Sequence, residues 1–270
     1  MLNQPQFVFS FTIPYYSSVD GESIELFVSE KTYEFYLFAQ QHYPLTVIHG
    51  DLHPHGPSYG EATDVLFDKE KALLIIGSKD IKEYSNEIID ISVAYHLQRI
   101  LHFEKATFVY YTYSEQTPGN IQQFIDDIQH ILESIPIYKF LIKKGYRIAE
   151  REQQILQDGL KSKHLLAHWK SIHPLENEKT EFLFSKLVFT NYVCNDVFIM
   201  YKKELNPIYP RLFSEFDQFQ KQIRKYNFST KSGQQKALQR IFRYLKYESY
   251  LTPITINDIP KWQLNNAQMK

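Results

Sequence analysis

The chain has 270 residues and a formal net charge of −1 at pH 7, enough for one large domain or two small ones. Nine Gly and 12 Pro exclude a collagen-like or linker-dominated chain, and 43% hydrophobic residues point to a folded protein with a filled core. The single Cys excludes an intramolecular disulfide and a multi-thiolate zinc site.

The first 80 residues alternate like strands. FVFSFTIPYY and SIELFVSE suit a hairpin, with Ser17, Asp20 and Gly21 near its turn. EKTYEFYLFAQQH at 30–42 predicts a short helix with Ser29 as cap. PLTVIHG, ATDVLFD and KALLIIGS follow as strands, the last two separated by Lys69, Glu70 and Lys71 as a hairpin turn would separate them.

Helical spacing then takes over. Over 83–104, Ile89, Val93, Leu97, Ile100 and Leu101 recur at steps of three and four, with Glu83 and Glu87 placed to favour the helix N-terminus. FVYYTY is β-prone. Residues 120–133 and 136–144 predict two helices broken at Pro136, the second ended by Gly145. Helices are expected at 148–171, 177–204 (stopped by Asn206-Pro207), 208–226 and 233–250. The fold class expected is α+β: an N-terminal part, 1–115, of mixed strand and helix, and a helical part, 116–270, joined as one continuous globular unit.

Charge is unevenly placed. Residues 1–135 hold 7 Lys and Arg against 19 Asp and Glu, a balance of −12, whereas residues 201–270 hold 13 against 5, a balance of +8. An acidic N-terminal part attracted to a basic C-terminal part within one fold is the plainest reading. MLNQPQFVFSFTIPYY has no Lys or Arg ahead of its apolar stretch, unlike the basic start of a secretory signal. No apolar run approaches the roughly 20 residues of a spanning helix. A cytoplasmic protein with no membrane partner is expected.

Residues 47–60, VIHGDLHPHGPSYG, concentrate chemistry-bearing side chains after two apolar residues. His49-Gly50-Asp51-Leu52-His53-Pro54 resembles the catalytic loop of aminoglycoside phosphotransferases and related small-molecule kinases. The resemblance implies that Asp51 accepts a proton from a substrate hydroxyl. The family's metal-binding Asn falls on Gly56, and its second metal-binding Asp falls on Gly77, with Asp80 nearby. Only 48 residues precede His49, short of the family's nucleotide-covering lobe.

YGEATDVLFDKEKALLIIG followed by EIIDISVAYHLQRILHFEK resembles the heart of a zincin-type metallopeptidase. There an edge strand guides peptide substrate and the next helix carries His-Glu-x-x-His for zinc and water. In that frame Tyr95 stands at the first His, His96 at the Glu and Arg99 at the second His. Arg99 brings a permanent positive charge to the metal's place. The resemblance therefore implies a catalytically degenerate metallopeptidase-like protein that binds protein or peptide, with no metal cofactor, through Tyr95, His96 and Arg99; the loop bearing His49 and His53, just ahead of the possible substrate-edge strand, reads as the rim of the binding cleft. Asp51 and His96 are the candidates for any catalysis that remains.

Other patterns are weaker. His164 and His168 stand at i and i+4, a spacing that can share a metal ion, but Leu165 occupies the place of a hydrolytic Glu. In the last strong helix Lys236, Arg240 and Arg243 form a basic stripe, with Lys246 beside it. This permits an interaction protein with an acidic partner, while a sequence pI near 6.8 argues against nucleic acid. Cys194, in an apolar run, reads as a core thiol.

Overall fold

A computed structural model describes residues 9–17, 23–67, 71–104, 110–161 and 178–254. The alternating N-terminal segments pair as expected: β1 (Phe9–Tyr16) lies antiparallel to β2 (Ser23–Ser29), placing Ile13 opposite Leu26 and Phe11 opposite Val28. Helix α1 (Glu30–His42) follows at once, capped by Ser29, whose hydroxyl accepts from the Thr32 amide at 3.4 Å. β3 (Leu45–His49), β4 (Asp64–Phe67) and β5 (Ala72–Ile76) complete a five-stranded sheet in the order β2-β1-β3-β5-β4. β1, β3 and β5 run parallel, and β4 returns antiparallel on β5 as an edge strand.

A short α2 (Asp80–Glu83) precedes α3 (Asn86–Glu104), so Glu83 belongs to α2, and only Glu87 lies in the first turn of α3. Tyr84 is extended, which separates the two helices. The predicted α3 stripe of Ile89, Val93, Leu97, Ile100 and Leu101 is buried, as are Ile13, Val28, Val47, Leu74 and Ile76 of the sheet. Each such side chain contributes about 1.5–3 kcal/mol when fully withdrawn from water.

α3 also makes a polar bond to α1. Asp90, 1% exposed, accepts the Ser29 amide and the Ser29 hydroxyl, both at 2.8 Å. A carboxylate from one helix thus satisfies the open N-terminus of another. Asp90→Ala is expected to cost about 2–3 kcal/mol in urea unfolding, the range for charged hydrogen bonds left unmade. A cost below that of an ordinary surface substitution would show that Ser29 caps α1 unaided.

The described residues divide into two compact units near residue 106. The second begins with β6 (Tyr110–Tyr113), which pairs antiparallel with β7 (Leu251–Ile254). Its helices are α4 (Gly119–Lys143), α5 (Ile148–Lys161), α6 (Glu178–Val193), α7 (Asn195–Leu205), α8 (Pro210–Ile223) and α9 (Lys231–Leu245). Phe213, Phe216, Phe219 and Phe242 are the largest of its fully buried side chains. The architecture is α+β: a mixed N-terminal sheet with its helices, then a mainly helical region.

Three helix boundaries differ from expectation. Pro136 does not break α4, which runs through it. Ile125, Ile128, Leu132 and Ile135 ahead of the proline and Ile137 and Leu141 after it are all buried, and that burial exceeds the roughly 3 kcal/mol cost of an internal proline. Gly145 does end the helix, at φ 86°, with the Tyr146 amide bonded to the Leu141 carbonyl and the Gly145 amide to the Ile142 carbonyl.

The apolar run at 177–204 is two helices, because Cys194 leaves helical geometry between α6 and α7. The Thr190 hydroxyl bonds back to the Lys186 carbonyl at 2.8 Å, a contact that bends helices. Cys194 is buried, and burial foremost pushes its thiol up to about 12. The last helix stops at Leu245 because Lys246 turns left-handed, at φ 61°, and the chain proceeds to β7.

Candidate functional site

Parallel pairing brings the carboxyl ends of β1, β3 and β5 to one end of the sheet. Tyr16 lies opposite Ile48, Ile48 opposite Ile75, and Ile75 opposite Asp64. His49, the last residue of β3, therefore stands close in register to Asp64, the first of β4, with β5 between them. Open sheets commonly bind ligands at this end.

The loop leaving β3 is held by backbone contact. Gly50 and Gly60 touch, and the Gly60 carbonyl accepts the Ser78 amide at 2.9 Å. The Thr63 amide donates to Asp80 at 2.7 Å, and the Gly77 amide to the Thr63 hydroxyl at 3.1 Å. These bonds fix loop 50–63 against the chain leaving β5.

Within the loop, His49 Nδ1 and Asp51 Oδ1 are 2.6 Å apart, both partly exposed. The Asp51 amide also points at His49 Nδ1, at 3.3 Å, so this one nitrogen faces both the amide and the carboxylate of Asp51, and its role follows the ring's tautomer. The Tyr15 ring stacks on His49 at 6.1 Å. Burial, then the Asp51 charge, raises the Tyr15 phenol above its ordinary value.

His53 Nδ1 accepts the His55 amide at 3.1 Å, and the His53 ring stacks on Tyr59 at 5.8 Å and 21°. Burial lowers the pKa of His53, with help from His55 and opposition from Asp64. With Nδ1 accepting, the neutral His53 ring carries its proton on Nε2.

The helix residues meet the same strand end. His96 Nδ1 lies 3.8 Å and Arg99 Nη1 3.6 Å from Asp64 Oδ1. The Arg99 guanidinium sits 5.8 Å above the Phe67 ring. Tyr95 is buried, its ring edge-on to His96 at 4.9 Å. His96 and Arg99, three residues apart, share the helix face toward Asp64, while Tyr95 serves the core.

These residues do not fit a catalytic zinc. Arg99 places a fixed cation beside Asp64, and no group of three or more His, Cys, Asp or Glu among the described residues could hold a metal ion. Nor do Gly56 and Gly77 offer the kinase pattern its metal ligands. Gly56 adopts φ 104°, and a Cβ on Gly77 would lie 2.5 Å from the backbone of Ala62 and Thr63. The nearby Asp80 is engaged by the Thr63 amide.

His164 and His168 lie outside the described residues. On the basic stripe, Arg240 donates to Gln222 of α8 at 2.9 Å and Arg243 to Glu248 at 2.9 Å, so part of its hydrogen-bonding capacity is used inside the unit. Tyr15, Tyr59 and Asp64 carry no motif and are missed from sequence. Asp64 gains its role only because α3 returns to the strand some thirty residues later. No described helix is long and apolar enough to cross a membrane.

No family model, no curated protein and no solved structure matches the chain.

Proposed function

We propose that the N-terminal unit is a peptide-binding module of degenerate metallopeptidase-like design. The observation carrying this reading is the position of β4, an edge strand with His96 and Arg99 of the following helix anchored at its first residue. An extended peptide adds to such an edge through main-chain hydrogen bonds, with pockets reading alternate side chains. Arg99 stands where the metallopeptidase pattern has a zinc ligand, so the module binds without hydrolysing.

A library of extended heptapeptides, screened by amide NMR, tests this. Binders are expected to shift the amides of residues 64–67 and the His96 ring. Stoichiometric zinc that disappears in His96→Ala would overturn the reading, as would binders that leave residues 64–67 unmoved.

The His49–Asp51 bond at 2.6 Å favours a second reading, a small-molecule phosphotransferase using Asp51. A thermal shift with Mg-ATP that vanishes in Asp51→Ala would promote it over the first.

A further inference from the structure

The helical unit holds a cavity of about 240 Å³ that no sequence motif announces. Arg151 and Lys186 both line it, and both donate to the wholly buried Glu152, each at 2.7 Å. Two cations on one carboxylate leave one positive charge uncompensated within this group, in surroundings where charge is costly unless paired.

Donor capacity remains. An ammonium has three protons, and Lys186 gives one to Glu152. Arg151 Nε and Ser185 Oγ are buried with no hydrogen-bond partner among the described residues, and Ser185 also borders the cavity. A serine hydroxyl rotates freely enough to turn its proton toward a bound oxygen.

Part of the remaining wall is aromatic. The Arg151 guanidinium lies 5.0 Å above the Tyr138 ring, and the Lys186 ammonium 5.5 Å from the Phe189 ring. Asp127 and His130 also border the space. Among the described residues, Asp127 is the one carboxylate lining the cavity. It already accepts from Gln123 at 2.9 Å, and burial raises its carboxyl above the ordinary value.

We propose that this cavity binds a small organic anion, its carboxylate or phosphoryl oxygens on Lys186, Arg151 and Ser185 and its apolar body against Tyr138 and Phe189. The inference is independent of the peptide site, since it concerns the other unit.

Titration of the full chain with benzoate, phenyl phosphate and benzylammonium, followed calorimetrically, tests it. At least one anion is expected to saturate at one equivalent, and benzylammonium is not. The preferred anion distinguishes a carboxylate from a phosphoryl ligand. Ser185→Leu, which fills the space and leaves the Arg151–Glu152–Lys186 group intact, should weaken binding at least about tenfold. Should that variant fail to fold, Ser185→Ala should still weaken it several-fold. The proposal is overturned if neither anion binds at millimolar concentration, if benzylammonium binds in preference, or if both folded Ser185 variants bind as the parent does.

Discussion

Glu152→Gln is expected to destabilise the helical unit by about 3–5 kcal/mol, the range for breaking a buried ion pair by removing one partner. The substitution keeps the volume and removes the charge. Arg151 and Lys186 then lose the carboxylate that both of them bond to. Urea unfolding followed by far-UV circular dichroism reads the effect directly. Adding Lys186→Met should recover part of the loss, because it removes the cation left without a partner. The two changes should therefore be non-additive, as expected of residues in one network. Additive effects would show that Glu152 acts through packing alone.

The same residue sets an acid limit. Burial alone would raise the Glu152 pKa, but the charges of Lys186 and Arg151, and hydrogen bonds from both, lower it below the ordinary 4.5. A carboxyl held lower in the folded state than in the unfolded one stabilises fully above its unfolded pKa. That contribution fades as pH falls through the folded value. The wild-type chain should thus lose stability from about pH 4.5 downward, while Glu152→Gln, lacking the group, shows a shallower decline. Equal acid dependence in both would contradict the lowered pKa.

Local rules made much of the fold legible. Ser29 before an apolar-periodic run predicts the start of α1, and Gly145 predicts the end of α4, because each answers a need confined to a few residues. Pro136 misleads for the opposite reason: its local penalty is outweighed by apolar side chains buried on both sides of it along the helix. The pairing of β6 with β7 joins segments about 140 residues apart, and no local period encodes that. The candidate site divides in the same way. His49 and Asp51 are two residues apart and can be read as a pair, whereas Asp64 meets His96 and Arg99 only through the placement of α3 beside an edge strand. The cavity beside Lys186 is less legible still, since its donors come from α5 and α6 and are ordinary side chains in the sequence.

Gly50→Ala should be among the most damaging single-methyl additions in the N-terminal unit. A Cβ on Gly50 would stand 1.8 Å from the Gly60 carbonyl oxygen and 2.9 Å from the Ser78 nitrogen, both backbone atoms. Neither can rotate away as a side chain would. The Gly60 carbonyl is also the acceptor of the Ser78 amide, so moving it breaks a bond that ties the loop to the end of β5. A cost of about 3 kcal/mol is expected, the upper part of the range for overpacking. Because His49, Asp51, His53 and His55 all lie on or beside this loop, their ring and amide NMR signals should move together even where the variant stays folded. Gly119→Ala is the control, since a Cβ there meets nothing within 4 Å at an ordinary φ, and it should be neutral or slightly stabilising. Wild-type stability and unmoved histidine signals in Gly50→Ala would mean that the loop carrying the candidate site yields easily. The preorganised strand end that the proposed peptide binding requires would then be lost.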